Sequence, residues 1–317
     1  MKIYFEVVVL LLFAASCKTH PNSDRRYDYS KDGQSYALRL DPVPGSEYVY
    51  AIHNESEVKM EVGDRKMDDV NKSDVSTVYS TGRDSIGDFI MGMTYEKVHL
   101  YVKNNGEESE MDAANAGSSI NPIERMLGAL QSAHVEARIS PAGEVKSVTG
   151  YKEIGEKILG QFHAPDSYSQ NLAKQRVEQV IGEGIVKRNM DQLFRIFPDS
   201  AKHIGESWHL HSVQKGDVSL QVNSTLTLRS IEDEVAFIDA ESELTSDSGT
   251  SQLMGYDAIA DLKGHQKGEY QVETATGMLL SCEMTGTVEG TLQIMGRNVP
   301  VTIDTKLNMN GRLKTGK

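Results

Sequence analysis

The sequence predicts an α+β chain in which two β-rich halves of long, curved antiparallel strands flank a central helical segment, an open-barrel-like arrangement. Three observations carry this. Apolar residues alternate at period two through most of Tyr36 to Val148, and again from Val218 to Leu313, the spacing of strands with one buried face. Between Tyr151 and Phe197 they recur at helical spacing. Gly286 and Gly290 share parity with the apolar positions from Met278 to Ile294, where missing side chains let a long sheet bend. The boundaries that follow are a leader over 1–16, a tether over 17–35, a first β-rich half over 36–150 with one short helix, a helical segment over 151–198 and a second β-rich half over 199–317.

In the first half, Tyr36, Leu38 and Leu40 alternate with polar neighbours, Pro42 to Gly45 turns the chain, and Tyr48, Tyr50 and Ile52 resume the pattern. Val58, Met60 and Val62 follow, then a polar break from Gly63 to Lys72 and a short strand over Val75 to Tyr79. Phe89, Met91, Met93 and Tyr95 share one parity, but Val98, Leu100 and Val102 share the other. One extra residue near Glu96-Lys97 restores a single buried face, because a one-residue bulge flips every later side chain. Glu107, Glu108, Glu110 and Asp112 read as a solvated strand edge of the kind that discourages aggregation.

Asn121-Pro122-Ile123-Glu124 opens a helix with a capping Asn, Pro at the first helical position and Glu at the third. Val135 to Ile139 and Val145 to Val148 return to strand around Pro141-Ala142-Gly143. A second helix carries Tyr151, Ile154, Ile158, Leu159 and Phe162. Ser167 caps a third, with Leu172, Val177, Val180 and Ile181 in line, and Met190, Leu193, Phe194 and Phe197 complete the segment before Pro198.

The second half alternates most regularly. Val218, Leu220, Val222, Leu226 and Leu228 share parity, and Val235 to Leu244 pairs next. Met278, Leu280, Cys282, Met284, Val288, Leu292 and Ile294 form one face, opposite Ser281, Glu283, Thr285, Thr287, Glu289, Thr291 and Gln293. Gly296-Arg297-Asn298 turns the chain into Val299 to Leu313. The halves open alike, with Gly45-Ser46-Glu47-Tyr48-Val49-Tyr50 and Gly205-Glu206-Ser207-Trp208-His209-Leu210. In each a Gly precedes large apolar residues by three and five positions, as a duplication would give.

The leader fixes the compartment. Lys2 supplies a positive start, Val7 to Phe13 an apolar run too short to span a bilayer, and Ala14-Ala15-Ser16-Cys17 resembles a lipobox. Ala14 stands where Leu is commoner, and Glu6 places a charge at the edge of the run. Resemblance to bacterial lipoproteins implies acyl chains on Cys17, enough for stable anchoring. Cys17-Lys18-Thr19-His20 lacks the Asp that retains many lipoproteins in the inner membrane, so the expected location is the periplasmic face of the outer membrane. With Cys17 acylated, Cys282 has no internal disulfide partner. A formal charge of −13 over 317 residues argues against nucleic acid as a partner.

The matching residues Ile139-Ser140-Pro141-Ala142-Gly143-Glu144-Val145-Lys146-Ser147-Val148, Phe197-Pro198 leading to Gly205-Glu206-Ser207-Trp208, and Thr276-Gly277-Met278-Leu279 carry a wider resemblance. Over roughly 36–313 the chain resembles a family of bacterial lipoproteins of unknown function. The resemblance implies an anchored, β-rich envelope protein and no activity.

No nucleophile elbow, phosphate loop, zinc-protease helix or dinucleotide fingerprint is present, so the chain reads as non-enzymatic, with no cofactor and no metal. His209 and His211, with His203 nearby, could share a metal, but their alternation with Trp208 and Leu210 places them on the solvent face. Asp68, Asp69, Asn71 and Asp74 lack the Gly and Glu of a calcium loop and read as a polar turn. The expected ligand surface is apolar and built by Met278, Leu280, Cys282, Met284 and Val288, taking an acyl chain or a lipidated protein, since Met adapts to variable guests. The alternative is an envelope scaffold or protein-interaction module whose interior is filled by its own side chains.

Overall fold

The computed structural model describes residues 33–314, except 63–64, 105, 132, 161–169, 172–173, 175–176, 178–180, 215–217, 248 and 254–255. Its strands are β1 Glu47–Val62, β2 Arg65–Arg83, β3 Phe89–Asn104, β4 Glu107–Asp112, β5 His134–Ile139, β6 Val145–Thr149, β7 Ser207–Gln214, β8 Leu220–Glu232, β9 Val235–Ser246, β10 Thr250–Leu253, β11 Tyr256–Glu273, β12 Leu279–Ile294 and β13 Arg297–Leu313. Three helices are described: α1 Pro122–Leu130, α2 Tyr151–Leu159 and α3 Glu183–Phe194. The helix expected over 167–181 falls largely outside the described residues.

All 13 strands belong to one antiparallel sheet, in the order β6-β5-β3-β2-β1-β13-β12-β11-β9-β8-β7, with β4 on β3 and β10 on β11. This corrects the expected α+β architecture. The halves do not stand on either side of a helical segment; they merge, because β1 pairs with β13 from Tyr48↔Leu313 to Met60↔Val301. The fold is a β fold in which short helices cover part of one large open sheet. The two halves are not equivalent repeats in space either, since β1 lies at the centre of the sheet and β7 at its edge.

Local chemistry places the breaks. Pairing between β2 and β3 shifts where Ser76 meets Lys97 and Thr77 meets Tyr95, so Glu96 is the extra residue that the parity change demands. Asn121 caps α1 by accepting from the Ile123 N–H at 2.9 Å. Glu124 does not close a capping box; it accepts from the Asp112 N–H at 3.1 Å and ties α1 to the end of β4. The β12–β13 hairpin turns at Met295 and Gly296, φ 51° and 74°, one residue earlier than the sequence reading, in the left-handed region that two-residue hairpins need.

Tyr36 to Leu40 form a strap, not the expected strand. Tyr36 exchanges backbone hydrogen bonds with Lys202, Leu40 N–H donates to Pro141 O at 3.0 Å, and Asp41 N–H donates to Thr276 O at 2.7 Å. The strap therefore joins the β5–β6 turn to the β11–β12 connection and sinks Leu38 and Leu40 into the core.

Two apolar clusters lie on the inner face. The larger gathers both halves and the helices: Tyr50, Tyr79, Phe89, Ile158, Met190, Phe194, Trp208, Leu228 and Ile238 among them. Phe194 of α3 meets Tyr79 edge-on at 5.7 Å, and Tyr79 meets Tyr50 at 5.4 Å, the geometry that aromatic quadrupoles favour. Trp208, the only Trp, donates its indole N–H to Ile196 O at 3.0 Å. The smaller cluster, at the other end of the strands, consists of Leu220, Val222, Leu244, Ala260, Leu262, Val288, Leu292, Val299 and Val301.

Candidate functional site on the inner face

Between the two clusters the inner face changes character. Following the register from strand to strand, Asn71 of β2 opposes Ser56 of β1, Ser56 opposes Thr305 of β13, and Thr305 opposes Gly286 of β12. Gly286 opposes Gln266 of β11, Gln266 opposes Ser242 of β9, and Ser242 opposes Ser224 of β8. One row of directly paired positions thus crosses seven strands without an apolar side chain. It is an interior row: Ser56, Asn71, Ser242, Gln266 and Thr305 are all buried. One step toward the larger cluster, Asn54 and Ser73 oppose each other across β1 and β2, also buried.

Period-two alternation explains why these residues face inward. On β1, Tyr48, Tyr50, Ile52, Asn54 and Ser56 share parity and burial. On β2, Asp69, Asn71, Ser73, Thr77 and Tyr79 do the same. Asp68, Asp69, Asn71 and Asp74, read from the sequence as a polar turn, are therefore part of a strand, and only Asp69 and Asn71 of the four are buried. The signal was present in the sequence as a polar interruption of an otherwise apolar parity, at Asn54 and Ser56 between Ile52 and Val58.

The row is satisfied unevenly. On the C-terminal strands, Ser224 and Ser242 hydroxyls bond each other at 2.8 Å, and Thr305 Oγ1 donates to Gly286 O at 3.2 Å. On β1 and β2, Asn54 Oδ1, Asn71 Oδ1 and Ser73 Oγ are buried with no hydrogen-bond partner. A buried group left so costs about 1–3 kcal/mol each, and native interiors hold few of them.

The residues expected to form an apolar ligand surface divide. Met278, Cys282 and Met284 are 0%, 2% and 5% exposed within the larger cluster, and Val288 belongs to the smaller one. Leu280 is only half-buried and belongs to neither cluster. Gln271 pairs with Ser281 but Val272 pairs with Leu279, so Leu280 is the extra residue of a bulge and Leu279 takes the inward place. Gly290 leaves no empty volume either. Its φ is 151°, and a Cβ there would stand 2.0 Å from Asp261 O, so the glycine lets two backbones approach. Cys17 lies outside the described residues.

The outer face carries the histidines. His209 Nδ1 lies 3.1 Å from Thr225 Oγ1 and His211 Nδ1 lies 2.9 Å from Asn223 Oδ1. Both rings border an open groove of about 710 Å³, with Glu241, Glu243, His265 and Lys267. His203 is held elsewhere, by the Gln34 carbonyl at 3.0 Å. Among the described residues, no group of three or more His, Cys, Asp or Glu side chains is placed to hold a metal ion, and no helix is long and apolar enough to cross a membrane.

Buried titratable groups are structural. Burial raises the phenols of Tyr50, Tyr79 and Tyr270 above their ordinary range and pushes Tyr95 up to about 12. Burial likewise raises the Asp191 carboxyl, although it accepts the Val145 N–H at 3.1 Å and so ties α3 to β6.

The chain belongs to the family of unknown function DUF6263, whose model matches residues 87–279, from the β2–β3 connection to the first residue of β12. The polar pairs on β1 and β2 lie outside that span. No curated protein matches the sequence. Among solved structures, Pseudomonas aeruginosa OccK7 (OpdD) is 6% identical with a TM-score of 0.25, over 86% of this chain and 100% of that one. A DUF1329 family protein from Desulfovibrio piger is 9% identical with a TM-score of 0.15, over 86% and 88%. The MucA/MucB complex of Pseudomonas aeruginosa gives 7% and 0.13, over 84% and 94%.

Proposed function

We propose that this DUF6263 member is a non-enzymatic protein of the cell envelope, lipid-anchored through Cys17 at the periplasmic face of the outer membrane, that works as a protein-interaction module. The observation that supports it is how the apolar interior is filled. Met278, Cys282 and Met284 are buried in the cluster that also holds Met190 and Phe194 of α3, and Val288 is buried in the smaller one, so these positions of the inner face are covered by the protein's own side chains. The anchor rests on the sequence from Lys2 to Cys17. The competing reading, an acyl-chain carrier using Met278, Leu280, Cys282, Met284 and Val288, needs an open apolar surface, and all of these but Leu280 are buried. Solvent extraction of natively purified protein followed by mass spectrometry decides between them. The interaction module predicts no acyl compound beyond the anchor; a stoichiometric lipid released from the domain would establish the carrier instead.

A further inference from the structure

Asn54, Ser56, Asn71 and Ser73 make a two-by-two patch on adjacent strands, with Asn54 opposite Ser73 and Ser56 opposite Asn71. Directly opposed positions stand roughly 5 Å apart at Cβ, so all four side chains rise into one small volume. Each is more than nine-tenths buried, at 2%, 7%, 4% and 2% exposure respectively. The oxygens of Asn54, Asn71 and Ser73 have no partner in the protein. On β8, β9 and β13 the same row bonds within itself or to a carbonyl, and the unpartnered oxygens at and beside the row lie on β1 and β2.

We propose that the patch is a buried binding site for a small, uncharged, hydroxyl-bearing molecule of the polyol class. Four features select that chemistry. The four residues carry no formal charge, and burying a charged guest without a counter-charge is costly. The inward parity of β1, from Tyr48 to Met60, contains no Lys or Arg, so an anion finds no counter-charge on that strand. A hydroxyl both donates and accepts, so it satisfies an Asn amide in either orientation as well as a Ser hydroxyl. The rows on either side, with Ile52 opposite Met309 and Val58 opposite Ile303, present hydrocarbon to the C–H groups of such a guest. The inference goes beyond the interaction-module reading and does not depend on it.

The test uses the mature, natively purified chain with glycerol and glucose as probes, read by saturation-transfer NMR. The site predicts saturable transfer to at least one probe. It also predicts about tenfold weaker binding in Asn71→Leu, the effect of losing one hydrogen bond. Ser73→Ala, a smaller change, supplies the same comparison should Asn71→Leu fold poorly. No transfer to either probe, or equal transfer in wild type and variants, would mean that the patch holds only water, and the proposal falls.

Discussion

The N-terminal and C-terminal strands carry the same polar row on the same inner face and treat it differently. On β8, β9 and β13, Ser224, Ser242 and Thr305 use one another or a neighbouring carbonyl, and Gly286 contributes no side chain. On β1 and β2, Asn54, Asn71 and Ser73 keep buried oxygens without partners. Ser242 and Thr305 are buried like Asn54, Asn71 and Ser73, so burial alone does not account for the difference. What differs is what stands opposite. Ser224 faces Ser242 and Thr305 reaches the Gly286 carbonyl, whereas Asn54 faces Ser73 and Asn71 faces Ser56, and the oxygens of Asn54, Asn71 and Ser73 stay unpartnered; each Asn amide alone has four hydrogen-bonding sites to fill. A polar interior row can therefore be structural on one side of a sheet and available on the other.

The largest effect expected from breaking the frame around this row is at the helix-covered end. Phe194→Ala removes the ring packed on Tyr79 and should destabilise by about 3–5 kcal/mol in urea unfolding; a near-neutral result would mean that α3 merely lids a cavity. Gly290→Ala comes next. With a Cβ set 2.0 Å from Asp261 O, it should lose about 1–3 kcal/mol, while Gly286→Ala, whose nearest neighbour would be 3.2 Å away, should lose clearly less. Equal melting temperatures for the two would refute the close approach of β11 and β12.

Ser242→Ala sharpens the comparison from the satisfied side. It leaves the Ser224 hydroxyl without the 2.8 Å partner and should cost about 1 kcal/mol. The smallest effect is at Asp191. Burial raises its carboxyl, so the ionised form is disfavoured in the fold and lowers stability once pH passes through the ordinary carboxylate range. Asp191→Asn keeps an acceptor for the Val145 N–H and should melt slightly higher at neutral pH. That advantage should shrink as pH falls and wild-type Asp191 becomes protonated. An advantage that grows toward acid pH would reverse the sign.

Much of the fold was legible where the signal is local. The extra residue at Glu96, the cap at Asn121 and the strand parity of β1, β8 and β13 follow from pleat and turn chemistry acting within a few residues. The union of the halves was not legible, because nothing near Tyr48 or Leu313 encodes that β1 and β13 pair across more than two hundred residues of chain. Leu280 misled for a different reason. It keeps parity with Cys282 and Met284, and only the partner strand, at Gln271 and Val272, reveals the bulge. The polar row could be read as an interruption at Asn54 and Ser56. That it crosses the sheet needed the register, since seven strands contribute one residue each.

The central claim is that Asn54, Asn71 and Ser73 are polar groups the protein itself leaves unsatisfied. The measurement that meets it most directly is the unfolding free energy of Asn71→Leu in urea without added ligand, beside Ser242→Ala. Replacing a side chain whose buried carbonyl oxygen has no partner by an apolar one of similar shape should leave stability unchanged or raise it. A loss in Asn71→Leu as large as that in Ser242→Ala would show that Asn71 is already bonded within the fold, and would contradict the account.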